Sequence, residues 1–209
     1  MKMKNFDLSL YLCTDRNLTN GRDLKICVEN AIKGGITALQ IREKNCSDRE
    51  FFEVAEQLKK ISQKNKIPLI INDRTDIAIA INADGVHVGQ NDLPCKIVRK
   101  IIGENKIVGV SASTVEQAIQ AEIDGADYIG VGAVFSTNTK TDAKNISINT
   151  LQKICQSVKI PVVAIGGINL NTLPKLKSVD IDGIAVVSAI LSSENPQFAA
   201  HELLKTFRS

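Results

Sequence analysis

The chain has no tryptophan, two tyrosines and six phenylalanines, so its core must come from Ile, Leu, Val and Ala. Charge of one sign is also scarce. The net charge is +3 over 209 residues, too mild to imply a nucleic-acid partner, and no basic stripe interleaved with aromatics runs along the chain as single strands require. The densest basic stretch, Lys59–Lys66 with four lysines, reads as a solvated helix end. No apolar run reaches the length of a membrane span, so no membrane partner is expected. The stretch Leu8–Cys13 is too short for a signal peptide and is followed by Asp15-Arg16. Five widely spaced cysteines contain no C-x-x-C pair. That pattern counts against zinc and disulfide frameworks and points to reduced thiols in the cytoplasm. There is no Walker A pattern and no G-x-G-x-x-G opening a helix, which counts against those modes of nucleotide binding.

What is present is an alternation of short aliphatic runs with amphipathic stretches from end to end. The chain is 44% apolar and no linker or shift of composition divides it, so one domain over residues 1–209 is expected. Strands are expected at Leu8–Cys13, Ala38–Ile41, Pro68–Ile71, Gly85–Val88, Ile107–Val110, Tyr128–Val131, Val162–Ile165 and Ile184–Val187. Most are continuously apolar, as strands buried on both faces are. Between them Phe51, Val54, Leu58 and Ile61 recur at helical steps. So do Val115, Ala118, Ile119 and Ile123, and Leu170, Leu173 and Leu176. Ser47 with Glu50 makes a capping box, Thr114 stands three before Gln117, and Asn195 precedes Pro196. Eight strand-helix units call for parallel strands joined by right-handed crossovers. A closed (β/α)8 TIM barrel and an open doubly wound sheet both satisfy that. The count of eight favours the barrel. So do polar residues at many strand ends, because an open sheet gathers its ligand at one switch point.

Those strand ends carry the chemistry. In Gln40-Ile41-Arg42-Glu43-Lys44 the even positions share parity. A continuing strand turns Gln40, Arg42 and Lys44 toward the barrel axis and Leu39 and Ile41 toward the helices. Arginine offers a planar fork for phosphate oxygens and lysine a mobile point charge. The next run closes on Asn72-Asp73, and the one after on His87-Val-Gly-Gln-Asn-Asp92. Two carboxylates at consecutive strand ends suit a magnesium ion that keeps its other positions for water and phosphate. Each acid also has a plainer use as the cap of the following helix. Asp76 and Asp84 fall in a helix and before a strand, away from this face.

Ser111 ends the fifth strand and offers a hydroxyl to a phosphate or a ring nitrogen, unless it or Ser113 caps a helix. The stretch from Phe135 to Ser147 is long and polar. Within it Thr137, Asn138, Thr139 and Lys140 suit a phosphate-binding loop. Gly166-Gly167 and Val187-Ser188 end the last two strands, a frequent phosphate site of barrels. His87 lies inside the fourth strand, where a satisfied core histidine is the plain reading, and His201 falls on the last helix. Cys46 has no histidine close in sequence to activate it. The residues thus outline two anionic subsites, a diphosphate one at strands two to four and a monophosphate one at strands six to eight.

Taken in order, Gln40-Ile-Arg-Glu-Lys44, Ile71-Asn-Asp73, Val86-His-Val-Gly-Gln-Asn-Asp92, Gly109-Val-Ser111, Thr137-Asn-Thr-Lys140, Ile165-Gly-Gly-Ile168 and Val187-Ser188 resemble the thiamine-phosphate synthase family. The resemblance covers essentially the whole chain. It implies a barrel that joins 4-amino-2-methyl-5-hydroxymethylpyrimidine diphosphate to 4-methyl-5-(2-phosphooxyethyl)thiazole and releases diphosphate, with Mg2+ as cofactor. It implies pyrimidine-diphosphate contacts at Gln40, Ile41, Arg42, Glu43, Lys44, Asn72, Ser111 and Lys140, and magnesium ligands at Asp73 and Asp92. Thiazole-phosphate contacts are implied at Thr137, Asn138 through its backbone, Thr139, Gly167, Val187 and Ser188. Arg42, Lys44 and Lys140 become the catalytic cations. Ser113 departs from the pattern, since many relatives carry histidine there. Two readings from other classes stand beside this one: a Schiff-base lyase using Lys44 or Lys140, and a phosphate-ligand sensor without catalysis.

Overall fold

The computed structural model describes residues 6–136 and 145–209 of the chain. Its eight strands are β1 (Leu10–Cys13), β2 (Ala38–Ile41), β3 (Leu69–Asn72), β4 (Gly85–Val88), β5 (Ile107–Ala112), β6 (Tyr128–Val131), β7 (Val162–Ile165) and β8 (Gly183–Val186). They pair in parallel in sequence order, and β8 returns to β1 to close a barrel. Around it lie α1 (Leu24–Lys33), α2 (Asp48–Lys64), α3 (Thr75–Ala80), α4 (Cys95–Ile102), α5 (Val115–Ile123) and α6 (Ile148–Ser157). After β8 come the one-turn α7 (Ser188–Leu191) and the long α8 (Pro196–Arg208).

Strand parity sorts the core into two layers. Leu39, Ile41, Leu69, Ile71, Val86 and Val88 point outward and pack under the helices. Tyr11, Ala38, Ile70, Ile107, Tyr128 and Val163 point inward and fill the barrel. Each fully buried aliphatic side chain contributes roughly 1.5–3 kcal/mol. Helix starts follow their caps. Ser47 Oγ accepts from the Glu50 amide at 3.3 Å while Glu50 accepts from the Ser47 amide at 2.8 Å. Thr114 Oγ1 accepts from the Gln117 amide at 3.3 Å, and Asn195 Oδ1 from the Phe198 amide at 3.0 Å.

Three expectations change. The seventh connection forms a 3-10 turn over Leu173–Leu176 in place of an α-helix. Pro174 lacks an N–H, and residues three apart share a face in both kinds of helix, so the leucine spacing does not separate them. In α5 the side against the barrel is Ala118 and Ala121, whereas Ile119 and Ile123 are 39% and 71% exposed. Small alanines let that helix sit close, which rolls the isoleucines outward. Lys59 leaves the solvated lysine face: it is 6% exposed, and its ammonium donates to Asp84 Oδ2 at 2.8 Å.

The N-terminal rim is laced by a device used four times. Opposite the start of each odd-numbered strand stands a side-chain acceptor on the next strand's entry. Thr37 Oγ1 accepts from the Leu10 amide at 3.0 Å, and Asp84 Oδ2 from the Leu69 amide at 2.8 Å. Asp127 Oδ2 accepts from the Val108 amide at 2.9 Å, and Asp182 Oδ2 from the Val162 amide at 2.7 Å. In each pair the backbone returns the bond, the amides of Thr37, Asp84, Asp127 and Asp182 donating to the carbonyls of the same partners. Buried strand-end amides that would lose water are thereby satisfied. Lys59 and Arg99 then neutralise Asp84 and Asp127. With this rim fixed, the site is left to the opposite end.

Candidate active site

A cavity of about 1130 Å³ opens at the C-terminal mouth of the barrel. Gln40, Arg42, Asn72, Ser111, Gly167 and Ser188 all line it, as does Val187. Its walls are therefore strand ends, whose backbone the barrel holds rigid.

On the β2 side Gln40 and Arg42 turn inward as parity requires, but the strand ends at Ile41, and Lys44 beyond it is not among the residues that line the cavity. Gln40 is buried, and Arg42 follows with its amide donating to Thr14 Oγ1 at 3.1 Å and its guanidinium 3.8 Å from Asp15 Oδ2. The odd residues turn away. Ile41 joins the layer under the helices, and Glu43 meets Arg16 Nε at 2.6 Å with its side chain sealed from solvent. Burial pushes the Glu43 carboxyl above its ordinary range, against the pull of Arg16. Glu43 Oε1 and Arg16 Nη2 are buried without a hydrogen-bond partner.

Lys44 crosses to the end of β3, where its Nζ donates to Asp73 Oδ2 at 2.5 Å. Asp73 has φ of 61°, the left-handed region that aspartate tolerates better than most residues. Its amide donates to the His87 carbonyl at 2.8 Å, so the sharp turn belongs to the β3–β4 junction. This backbone aims the carboxylate across the mouth and away from α3, whose N-terminus has no side-chain cap. Asp92 behaves alike. Its Oδ2 accepts from the Gly89 amide at 2.7 Å, and α4 begins without a side-chain cap. The plainer capping role therefore applies to neither acid. Burial raises the Asp92 carboxyl above its usual range, and the neighbouring Asp73 carboxyl adds to the effect. The two acids thus share one locality, with Lys44 beside them.

Ser111 stands on β5 with its Oγ 2.9 Å from His87 Nε2, and its carbonyl accepts from Gln90 Nε2 at 2.7 Å. The α5 cap is Thr114, so neither serine serves there. Ser113 lines the cavity, and its amide donates to Gln117 Oε1 at 2.8 Å. Across the mouth, Gly167 has φ of 64°, and a Cβ there would lie 2.6 Å from the Ser136 carbonyl oxygen, so only glycine lets the two segments meet. Thr137, Asn138, Thr139 and Lys140 lie outside the described residues. Cys46 is no activated nucleophile: burial raises its thiol.

Sequence reasoning overlooked the loop after β1, where Asn17 and Leu18 line the cavity behind Asp15. It also overlooked Tyr11 and Tyr128 on the cavity floor. A signal existed for these two, because they are the chain's only tyrosines and both sit at inward parity in otherwise aliphatic strands.

A closed barrel whose mouth gathers neighbouring acids, fixed cations and polar strand ends is the architecture of an enzyme for anionic small molecules. Comparison with known proteins narrows the class. The chain belongs to the thiamine monophosphate synthase family, whose model matches residues 10–190. It is 58% identical over 207 residues to the thiamine-phosphate synthase of Clostridium tetani, covering 99% of each chain. It is 50% identical over 207 residues to that of Methanobrevibacter smithii, again covering 99% of each. The solved thiamine phosphate pyrophosphorylase of Pyrococcus furiosus superposes with a TM-score of 0.88 at 41% identity, over 96% of both chains.

Proposed function

We propose that this protein condenses 4-amino-2-methyl-5-hydroxymethylpyrimidine diphosphate with 4-methyl-5-(2-phosphooxyethyl)thiazole to give thiamine phosphate and diphosphate. The observation that carries the reading is the meeting of Lys44, Asp73 and Asp92 next to the residues Arg42, Asn72 and Asn91 that line the cavity. In this reaction the bond between the pyrimidine's methylene carbon and the diphosphate oxygen breaks, its electron pair leaving with the diphosphate. The thiazole nitrogen's lone pair forms the new carbon–nitrogen bond. The electron-rich aminopyrimidine steadies the cationic carbon between those events. No protein nucleophile is needed, so the residues act by position and charge.

Arg42 and Lys44, joined by Lys140, hold the negative charge that develops on the leaving diphosphate. Asn72 and Ser111 orient the pyrimidine end. Gly167, Val187 and Ser188 take the thiazole phosphate at the far wall, a role that the family resemblance also gives to Thr137, Asn138 and Thr139. Asp73 and Asp92 would hold Mg2+, which when bound supplies further positive charge to the diphosphate. The donor set fits that ion. Two carboxylates then leave the remaining positions to water and phosphate oxygens, as magnesium prefers.

The five free cysteines suit a reducing compartment, and the cytoplasm is the proposed location. Among the described residues no helix is long and apolar enough to cross a membrane. The test is to incubate purified protein with both substrates, with magnesium or with a chelator, and to follow products by mass spectrometry. Thiamine phosphate should form only with both substrates and the metal. No product under any condition sinks the reaction, and full turnover in chelator sinks the metal.

A further inference from the structure

Beneath the cavity five side chains form one unbroken hydrogen-bonded chain across the barrel. Gln40 Nε2 donates to Tyr11 Oη at 2.8 Å, and the Tyr11 and Tyr128 hydroxyls are 2.9 Å apart. Tyr128 Oη stands 2.9 Å from His87 Nδ1, and His87 Nε2 stands 2.9 Å from Ser111 Oγ. The path runs from β2 through β1, β6 and β4 to β5. Gly109, directly opposite Tyr128, makes room for it, since a Cβ there would lie 2.2 Å from the Tyr128 ring.

With the Gln40 amide donating at one end, using each hydroxyl hydrogen once within the chain sets the direction of every bond. An amide nitrogen only donates, so Tyr11 oxygen accepts from Gln40 and passes its own hydrogen to Tyr128. Tyr128, having accepted, donates to His87 Nδ1. A ring nitrogen that accepts carries no hydrogen, so the hydrogen sits on Nε2 and is donated to Ser111 Oγ. Burial raises both tyrosine hydroxyls well above their ordinary range, so each keeps the hydrogen the chain needs. Both ends of the chain reach the cavity. Gln40 presents its carboxamide oxygen, an acceptor, and Ser111 presents its hydroxyl hydrogen, a donor.

We propose that Tyr11, Tyr128 and His87 are positioning residues that fix the polarity of the pyrimidine site, with an acceptor at β2 and a donor at β5. This rests on the function proposed above. Such a site takes a ring that offers an amino N–H to Gln40 and an unprotonated ring nitrogen to Ser111. It refuses the 4-oxo form of the same ring, whose oxygen would face the Gln40 oxygen and whose ring N–H would face the Ser111 hydrogen. The relay thus selects the aminopyrimidine through the two side chains at its ends.

Two measurements test this. Nitrogen-15 NMR of histidine-labelled protein, with His201→Gln so that His87 alone reports, should show the hydrogen on Nε2. A hydrogen on Nδ1 overturns the proposal. Then kcat/KM is compared for the 4-amino and 4-oxo pyrimidine diphosphates. Wild-type protein should prefer the amino form by about 10⁴, the discrimination expected where a mismatch leaves buried polar groups unpaired. Tyr128→Phe cuts the relay and frees the Gln40 amide and the His87 tautomer, so the ratio should fall at least about tenfold. A merely structural role lowers both substrates alike, and an unchanged ratio overturns the proposal. If Tyr128→Phe does not fold, Tyr11→Phe cuts the chain one step earlier and is read in the same way. An inactive wild-type protein would overturn the function reading and this proposal with it, whereas an active protein with the wrong tautomer overturns the proposal alone.

Discussion

The two rims of the barrel put the same residue type to opposite uses. At the N-terminal rim Asp84, Asp127 and Asp182 each accept a strand amide, and the first two are also neutralised by a mostly buried lysine or arginine. At the C-terminal rim Asp73 sits in left-handed backbone, and Asp92 is held beside it so that one acid hinders ionisation of the other. The first arrangement gives every carboxylate an amide to bind and holds the fold closed. The second gathers two carboxylates about one lysine and stores backbone strain, which folds tolerate where function demands it. Aspartate itself says nothing about which use it serves; its place relative to the strand does.

The contrast can be broken most forcefully at the lower rim. Asp127→Ala takes the carboxylate from the Arg99 guanidinium, which keeps only backbone carbonyl acceptors, and the side-chain acceptor from the Val108 amide. We expect a loss of about 3–5 kcal/mol in urea melts, the cost of an orphaned buried charge. kcat/KM per folded molecule should stay at the wild-type level, and a collapse of catalysis in the still-folded fraction would erase the distinction between rims. At the upper rim the signs reverse. Asp73→Asn keeps a side chain that accepts left-handed backbone but removes the charge. It should lower kcat about 10²–10³-fold with the melting temperature nearly unchanged. Turnover equal to wild type would remove Asp73 from the chemistry.

A smaller effect is expected at Thr37→Val, which deprives the Leu10 amide of its side-chain acceptor. Unfolding should become easier by about 1–3 kcal/mol, again without loss of activity. The smallest sharpens the comparison from within the upper rim. Burial holds the Glu43 carboxyl above its ordinary value of 4.5, so the folded chain binds that proton more tightly than the unfolded one. Its contribution favours the fold at acid pH and is lost as pH rises through the folded value. Glu43→Gln should flatten stability against pH on that side. An unaltered pH profile would mean that Arg16 fully compensates the buried charge.

Much of this architecture is legible in the amino-acid sequence. All eight strands fall where short, mostly apolar runs stand, with ends differing by a residue or two. Period-two geometry correctly turns Gln40 and Arg42 inward and Leu39 outward. Asp84 is set apart from Asp73 because it precedes a strand while Asp73 follows one. The misses share a cause. Ile119 and Ile123 fit a helical stripe, yet the roll of a helix depends on what it meets, and alanines meet the barrel more closely. The tyrosines of the floor escape notice because each alone looks like core.

By itself the sequence determined the number of strands, the face most strand residues take and the end of the barrel at which the strand-end charges fall. These follow from local periodicity and need no distant partner. Only the tertiary structure decided which inward residues touch. The Tyr11–Tyr128 bond joins positions 117 apart, and the order of the floor relay does not follow the order of its strands. Parity assigns a side, whereas closure of the barrel assigns neighbours.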